Sequence, residues 1–539
     1  MDKVLFKLLK FKTILLIILL ASILRIYNVN HNPKSMYGDS LTLVYDAYSI
    51  LKTGMDQTGQ FLPVYFSMGG GRPPVYIYAT IPFVALLGPT AIAARSVSIL
   101  SGIGIVLLLY LICLRLSRKI ALYAALLAAI TPWELSLSRG AFESHFALFL
   151  GLLGLYAFLK RGENNKWLFI SAISFVLSMQ TYSTYVLTIP LFVFLLMYSE
   201  GFKTFKQIVK PSMIIFLTLI LMSLLFSVYI SYSRGSKDRF TNIQIFNQPD
   251  LQNQLASKVK SERAYSLLNP ELADKFHNRV LANLSVLTEN YANNFGLRFL
   301  FLQGDRNPRH NPASSGELFW FCLPLLILGG FSLYRNNKKV FLFVFLWASI
   351  TPIAGSLVGA PHALRNSFML PPLLILCAHG FPKSKRIKFL LLIFFLIQLP
   401  FFINRFYFLS PNLNAQFWSY SAKKATELAL ENKNKYDYIF LSTSIPDMEF
   451  AYPVYTRVEP KDFIYQKNHE TKLNEFNFLK FGNVYLGSVP NSRVGSFMKE
   501  VDGSVFYLGP IEDQGFVDIK AIQRDENEQP LFVVSTKNK

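Results

Sequence analysis

Apolar stretches of about 20 residues recur through the first 409 positions, separated by short polar segments that hold most of the Lys and Arg. Runs of that length match the hydrocarbon thickness of a bilayer and predict membrane helices. The first, Ile14 to Ile26, follows Lys3, Lys7, Lys10 and Lys12, which predicts a cytoplasmic N-terminus. Ala21-Ser22-Ile23-Leu24-Arg25 offers no small-residue cleavage pattern, so this run reads as a retained span rather than a signal peptide. Polar residues 28–89 read as an outer loop with two short helices. One is N-capped by Asp39 and runs to about Leu51, and the other is interfacial, from Val75 to Leu87.

The remaining spans read as Ala91–Leu114, Ile120–Trp133, one ending at Leu159, two within Trp167–Tyr198, Pro211–Ile230, one starting near Glu317, Val340–Leu357, one ending before Lys383, and Phe389–Phe408. Between the seventh and eighth spans lies a long amphipathic loop, 231–316, read as partly helical. Basic clusters flank alternate ends: Arg115, Arg118 and Lys119; Lys160, Arg161 and Lys166; Lys203, Lys206 and Lys210; Arg335, Lys338 and Lys339; Lys383, Lys385, Arg386 and Lys388. That alternation fixes the cytoplasmic side and gives about eleven transmembrane helices. An odd count sends the C-terminal region outside. From about Ser410 the pattern changes to that of a small extracytoplasmic α/β domain. A helix is predicted over Asn414–Glu431, and strands over Tyr436–Leu441, Val484–Val489, Val505–Leu508 and Phe532–Ser535. The expected organisation is a membrane domain over 1–409 and a soluble-type domain over 410–539.

Composition agrees: 539 residues, 52% hydrophobic and 16% charged, are too apolar for a soluble protein of this length. The net charge of +21 suggests nucleic acid in isolation, but its basic residues sit beside the spans, where membrane topology accounts for them. Cys113, Cys322 and Cys377 are scattered singly in apolar runs, which indicates neither a disulfide framework nor a metal cluster.

The topology gathers polar groups on the outer face: Asp39 and Arg72 in the first loop; Glu134, Arg139, Glu143 and His145 in the second; Asp305, Arg306, Arg309 and His310 in the long loop; His362 and Arg365 after the ninth span. A carboxylate among arginines and histidines suits a general base beside an anionic leaving group such as a phosphate. Each signal has a plainer reading. Asp39 is equally a helix cap, and Asp46, seven residues on, is a weaker alternative acid that reads as a solvated or paired surface residue. Arg139 and Glu143 have the spacing of an intrahelical pair, and His145 of a cap on the next span. Arg365 has the position of a snorkelling residue. The charges of 304–311 have a plain reading as the chance composition of an exposed loop, but Gly304 and Pro308 make it a defined turn, from which Arg306, Arg309 and His310 could converge on a phosphate. Gly69, Gly70 and Gly71 do not form a P-loop, since no strand precedes them and no Gly-Lys-Ser/Thr follows.

Several stretches together resemble a known group. After the acid at the head of the first-loop helix come Gly54-x-Asp56-x-x-Gly59-x-x-x-Pro63, then Arg72-Pro73-Pro74-Val75-Tyr76 and Ala93-Ala94-Arg95-Ser96. Pro132-Trp133 and Ser138-Arg139-x-x-x-Glu143 follow. This resembles the GT-C fold membrane glycosyltransferases, specifically the family 39-like group of protein O-mannosyltransferases and lipid A aminoarabinose transferases, over about residues 10–380. The resemblance implies an inverting transferase of the inner (plasma) membrane that takes a monosaccharide from a polyprenyl-phosphate donor to an extracytoplasmic glycan, lipid or protein. Asp39 matches the general base. Arg72, Arg139, Glu143, His145, Asp305, Arg306, Arg309, His310, His362 and Arg365 become the candidate substrate-binding residues. No cofactor is implied; the group does not generally require a metal, although some GT-C relatives use one. The chain departs from the group in having Asp39-Ser40 where Asp-Glu is usual. Two rivals stand beside this reading: a transporter or flippase of lipid-linked saccharides, which would place charges within spans near the midplane, and a non-catalytic relative.

Overall fold

A computed structural model describes residues 2–67, 71–199, 210–233 and 244–538, with side chains from Lys12 onward. Gly69, Gly70, Lys203 and Lys206 lie outside the described residues. The chain divides into two compact units. One comprises Met1–Tyr27, Tyr65–Tyr76 and Ser98–Ile403; the other comprises Asn28–Val64, Ile77–Val97 and Asn404–Lys539.

The first unit is helical. Among the described residues, four helices are long and apolar enough to cross a membrane: Ala91–Cys113, Pro211–Ser233, Lys338–Ser356 and Lys385–Leu413. A bent pair, Arg118–Ile130 with Pro132–Arg139, makes a fifth if counted as one span. The expected eleven is therefore not established. Several of the anticipated spans are helices of only 10–17 residues, including Glu143–Leu159, Asn165–Met179, Tyr185–Ser199 and Ser367–His379. The helices Cys322–Asn336 and Leu370–His379 approach closely because glycine leaves room: a Cβ on Gly329 would lie 1.8 Å from the Leu376 carbonyl oxygen, and one on Gly380 would lie 1.9 Å from that of Leu325. The long loop is helical over Pro249–Tyr265, Pro270–Phe276 and Arg279–Asn293.

The bend at Thr131-Pro132 organises the polar interior. Pro132 has no N–H to give to the Ala128 carbonyl. The Trp133 N–H, which would otherwise reach Ala129, bonds the Glu317 carbonyl at 3.1 Å. Both released carbonyls are taken by Arg25, at 3.1 Å to Ala128 and 3.2 Å to Ala129. The capping is reciprocal: Arg139 donates to the Leu24 and Arg25 carbonyls at the end of the first helix, Asp2–Ile26, at 3.1 and 3.0 Å. These are terminal carbonyls that no helical N–H satisfies. Arg25 also faces Glu134 Oε1 at 3.5 Å, and Glu134 pairs with His145 Nε2 at 2.8 Å, all three fully buried. The expected outer loop from Glu134 to His145 thus begins as part of a buried helix, Pro132–Arg139. The pattern misleads there because Glu134 and Arg139 look solvent-facing, yet each has a partner inside.

The second unit contains a seven-stranded mixed sheet. Its strands are β1 (Tyr438–Ser442), β2 (Thr471–Leu473), β3 (Phe476–Phe481), β4 (Val484–Gly487), β5 (Val505–Gly509), β6 (Ile519–Arg524) and β7 (Pro530–Lys537), in the order β2-β3-β4-β1-β5-β7-β6. Only β4, β1 and β5 run parallel. They are the continuous apolar runs visible in the sequence, as strands covered on both faces require. One apolar layer is built from Phe440, Phe478, Tyr485, Phe497 and Val505. The anticipated 414–431 helix begins later, at Tyr420, after a 3-10 turn over Ala415–Trp418.

Replacing Arg25 by Ala should leave Glu134 buried without its cation and two carbonyls unpaired, at a cost of about 3–5 kcal/mol. Thermal unfolding in detergent checks this. An Arg25→Ala midpoint close to wild type would show that the buried network contributes little.

Candidate functional site

Asp39 lies in the second unit, on the helix Gly38–Thr53. It is not the N-cap. Tyr37 holds that position, and Asp39 sits inside the first turn. Residues Ser40 to Ile50 of this helix are buried, whereas Asp39 is exposed. The helix packs through Tyr45, whose hydroxyl donates to the Val458 carbonyl at 3.0 Å and whose ring meets Phe463 edge-on. Asp46, anticipated at the surface, is fully buried and accepts from the Gln57 N–H at 3.1 Å. Seven residues on, it points within about 20° of Asp39, and the loop at Gln57 is what covers it.

The start of that helix is fixed by a residue distant in sequence. The Gly38 N–H donates to Asp447 Oδ2 at 3.0 Å, and the Ser419 hydroxyl donates to the same oxygen. A Cβ on Gly38 would collide with this carboxylate, so glycine is what allows the approach. Asp447 itself adopts φ +61°, a left-handed conformation that Asp tolerates. The first loop folds back beneath the helix. Gly54 closes it at φ +74°, and Asp56 Oδ1 accepts from the Thr58 and Gln60 N–H groups. The Gly-x-Asp-x-x-Gly stretch is therefore a turn. Arg95 donates to the carbonyls of Val29, Pro33 and Ser35, bracing the same loop.

In the first unit, Arg72 is buried and lies 3.8 Å from Glu143 Oε1. Glu143 begins the helix Glu143–Leu159, while Arg139 ends the preceding one, so the two do not share a helix as their spacing suggests. His145 is enclosed against Glu134. Arg306 is exposed, and Arg309 and Arg365 are half-buried.

Three of the anticipated residues from two separate loops meet. Asp305 Oδ2 is 3.1 Å from His310 Nδ1 and 3.7 Å from His362 Nδ1. The same oxygen accepts from the Ala363 N–H at 2.7 Å, and Oδ1 accepts from the Asn307 N–H at 2.8 Å. The Asp305 N–H donates to Glu317 Oε1 at 2.8 Å. Trp133 holds both loops, donating from its backbone to Glu317 and from Nε1 to the Ala363 carbonyl at 3.1 Å. Burial by itself would raise the Asp305 pKa. The His310 hydrogen bond and the charges of His362 and His310 outweigh it and hold the carboxyl at about 2. Burial, reinforced by His310, pushes His362 down to about 3. Burial drives Glu317 well above the carboxylate range. The cluster thus sets an ionised carboxylate beside two imidazole rings, a donor set suited to a dication.

Arg25, Glu317 and Asp447 were not singled out from the sequence as site residues. Glu317 and Arg25 carry one signal, a charged residue at the edge of an apolar run. Asp447 carries none, since its partner is 409 positions away.

The fold is GT-C-like and helical, with a C-terminal sheet domain, and its sequence and structural neighbours are glycosyltransferases. Residues 71–231 match the family model described as dolichyl-phosphate-mannose-protein mannosyltransferase. The whole chain superposes on ArnT from Cupriavidus metallidurans. The undecaprenyl phosphate complex gives a TM-score of 0.56 at 12% identity over 97% of each chain. The apo form gives 0.54 at 12% identity, over 99% of this chain and 98% of that one. The archaeal oligosaccharyltransferase AglB from Archaeoglobus fulgidus, in complex with an inhibitory peptide and a dolichol-phosphate, aligns at TM-score 0.47 and 12% identity, over 84% of this chain. The chain spans 64% of AglB's length. No curated protein matches the sequence.

Replacing Asp447 by Ala should cost about 1–3 kcal/mol by orphaning the Gly38 N–H and the Ser419 hydroxyl. It should also speed hydrogen exchange in residues 38–42, while Asp447→Asn, which keeps an acceptor and the left-handed backbone, should be milder. Unchanged exchange in Asp447→Ala would remove it as the anchor of this helix.

Proposed function

We propose that this chain is an integral-membrane glycosyltransferase that takes a monosaccharide from a polyprenyl-phosphate carrier and attaches it to an extracytoplasmic acceptor with inversion. Asp39 is its general base. The observation that carries the reading is the placement of Asp39: an exposed carboxylate on a helix whose next eleven residues are buried, in a chain superposing end to end on a protein solved with undecaprenyl phosphate. The helix keeps a fixed orientation through its buried face, so the exposed acid in its first turn is held in a fixed direction. A preorganised group of this kind is what proton transfer in a transition state requires.

In the proposed step the acceptor hydroxyl or amine attacks the anomeric carbon. Its proton passes to an Asp39 oxygen as the new bond forms. The bond from that carbon to the phosphate oxygen breaks, and the polyprenyl phosphate leaves with the electron pair. Asp39 then returns the proton to solvent. Arginines of the outer loops stabilise the charge gathering on the phosphate. Arg139 spends hydrogen bonds on helix-end carbonyls and serves as a brace rather than a phosphate ligand. Ser40, which replaces the usual Glu of the resembled group, is buried. The position after the base therefore faces the interior here, and a serine fits there without a carboxylate to solvate. The N-terminus is cytoplasmic and residues 410–539 are outside in this reading, as the alternation of basic clusters supports.

Purified protein in nanodiscs, incubated with a panel of radiolabelled polyprenyl-phosphate sugars, should release polyprenyl phosphate from one of them. Asp39→Asn should cut that rate by about 10²–10⁴-fold while donor binding persists. Undiminished turnover by Asp39→Asn would dismiss Asp39 as the base. No turnover by wild type with any donor, alongside intact binding, would favour a carrier or a non-catalytic relative.

A further inference from the structure

The Asp305 cluster is built more tightly than a substrate-binding loop needs. One donor atom from each of Asp305, His310 and His362 lies within 4.8 Å of the other two. With metal–ligand bonds of about 2.0–2.2 Å, donors on adjacent corners of a tetrahedral ion stand about 3.3–3.5 Å apart. The two separations measured from Asp305 Oδ2, 3.1 and 3.7 Å, straddle that value. The longer one exceeds a hydrogen bond, and His362 Nδ1 is buried with no hydrogen-bond partner at all. A ring nitrogen turned toward a carboxylate, too far to bond it and screened from water, is an unmet cost in the protein alone. An ion between the two groups removes it.

The supports have the form that metal ligands receive. Both Asp305 oxygens accept backbone N–H groups, from Asn307 and Ala363, and its own N–H is held by Glu317. The His310 ring is packed edge-on against Phe142, and its plane lies beside that of His362 with centroids 4.6 Å apart. Such outer contacts orient ligand groups before the ion arrives. Two imidazoles and a carboxylate favour zinc and its neighbours over magnesium or calcium, which select oxygen donors.

We propose that Asp305 Oδ2, His310 Nδ1 and His362 Nδ1 bind one zinc-like dication, with a fourth position open to water or an anionic oxygen. Ligation through Nδ1 requires the neutral His310 tautomer with its proton on Nε2, so a proton on Nδ1 is exchanged through solvent to Nε2 as the ion binds. The ion ties residues 304–317 to residues 361–366. The proposal is independent of the glycosyltransferase reading, because the site is defined by its ligands alone.

The test uses the full chain in detergent, stripped with chelator and free of any affinity tag, and titrated with Co²⁺ and then Zn²⁺. Wild type should take up one equivalent of Co²⁺ with the strong visible absorption of a four-coordinate site, lose that absorption to Zn²⁺, and unfold at higher temperature with either ion. His362→Ala should keep the wild-type metal-free midpoint, since its Nδ1 has no hydrogen bond to lose, and should bind Co²⁺ at least about tenfold more weakly without the absorption band. Asp305→Asn provides a second variant of nearly unchanged shape and should also lose the band. Equal uptake and equal thermal shifts in wild type and His362→Ala, or no uptake by wild type, would overturn the site.

Discussion

A missing backbone proton is the constraint from which much of the first unit follows. Pro132 cannot satisfy the Ala128 carbonyl, and the helix bends by 55° between Ile130 and Pro132. The bend frees the Trp133 N–H to reach Glu317, and Glu317 in turn accepts from the Asp305 backbone. The same residue's indole reaches the Ala363 carbonyl. One helix break thus sets the position of both loops that supply the Asp305 cluster. On its other side the break exposes two carbonyls inside an apolar interior, where unsatisfied polar groups are costly. Arg25 answers that need, and Glu134 answers the charge that Arg25 brings. His145 then completes the pair. A residue that looks like an expensive buried cation is the consequence of a proline one helix away.

The second unit shows the same economy with different parts. The helix of Asp39 begins where Asp447 meets the Gly38 N–H, and it is fixed along its length by aromatic contacts such as Tyr45 with Phe463. Asp447 lies in the connection that leaves the carboxyl end of β1, the end of a parallel strand from which open α/β sheets present their functional loops. Here the loop presents a carboxylate to backbone rather than to a ligand. It gives the C-terminal residues a structural reason to be part of the chain, since they hold the residue proposed as the base.

What the sequence made legible was what periodicity and local chemistry encode. The apolar parallel strands, the Val75–Leu87 helix and the Pro211 helix were found close to their observed limits, because their residues carry the signal themselves. The turn at Gly54–Gly59 was visible as a motif, though its reason, Asp56 gathering N–H groups, was not. Polarity at 134–139 suggests an exposed loop, whereas Glu134 is paired with Arg25 and His145 inside and Arg139 donates to the carbonyls of Leu24 and Arg25. Asp39 was read as a cap for a related reason. Local preference names Asp as a good N-cap, but the distant Asp447 fixes the helix start two residues earlier, with Tyr37 at the cap.

The distinction between structural and chemical polar residues then rests on how completely each is satisfied. The guanidiniums of Arg25, Arg95 and Arg139 each donate to two or more backbone carbonyls and are braces. Sequence alone could not separate them from Arg306 or Arg365, since all are basic residues near the ends of apolar runs. Donation to helix-end and loop carbonyls assigns those three to the scaffold. Exposure on a packed helix, as for Asp39, or a ring nitrogen turned to a carboxylate beyond hydrogen-bond reach, as for His362, points to chemistry instead. The proposed base and the proposed metal site both rest on that reading of position: an exposed carboxylate on a packed helix, and a ring nitrogen set 3.7 Å from a buried carboxylate.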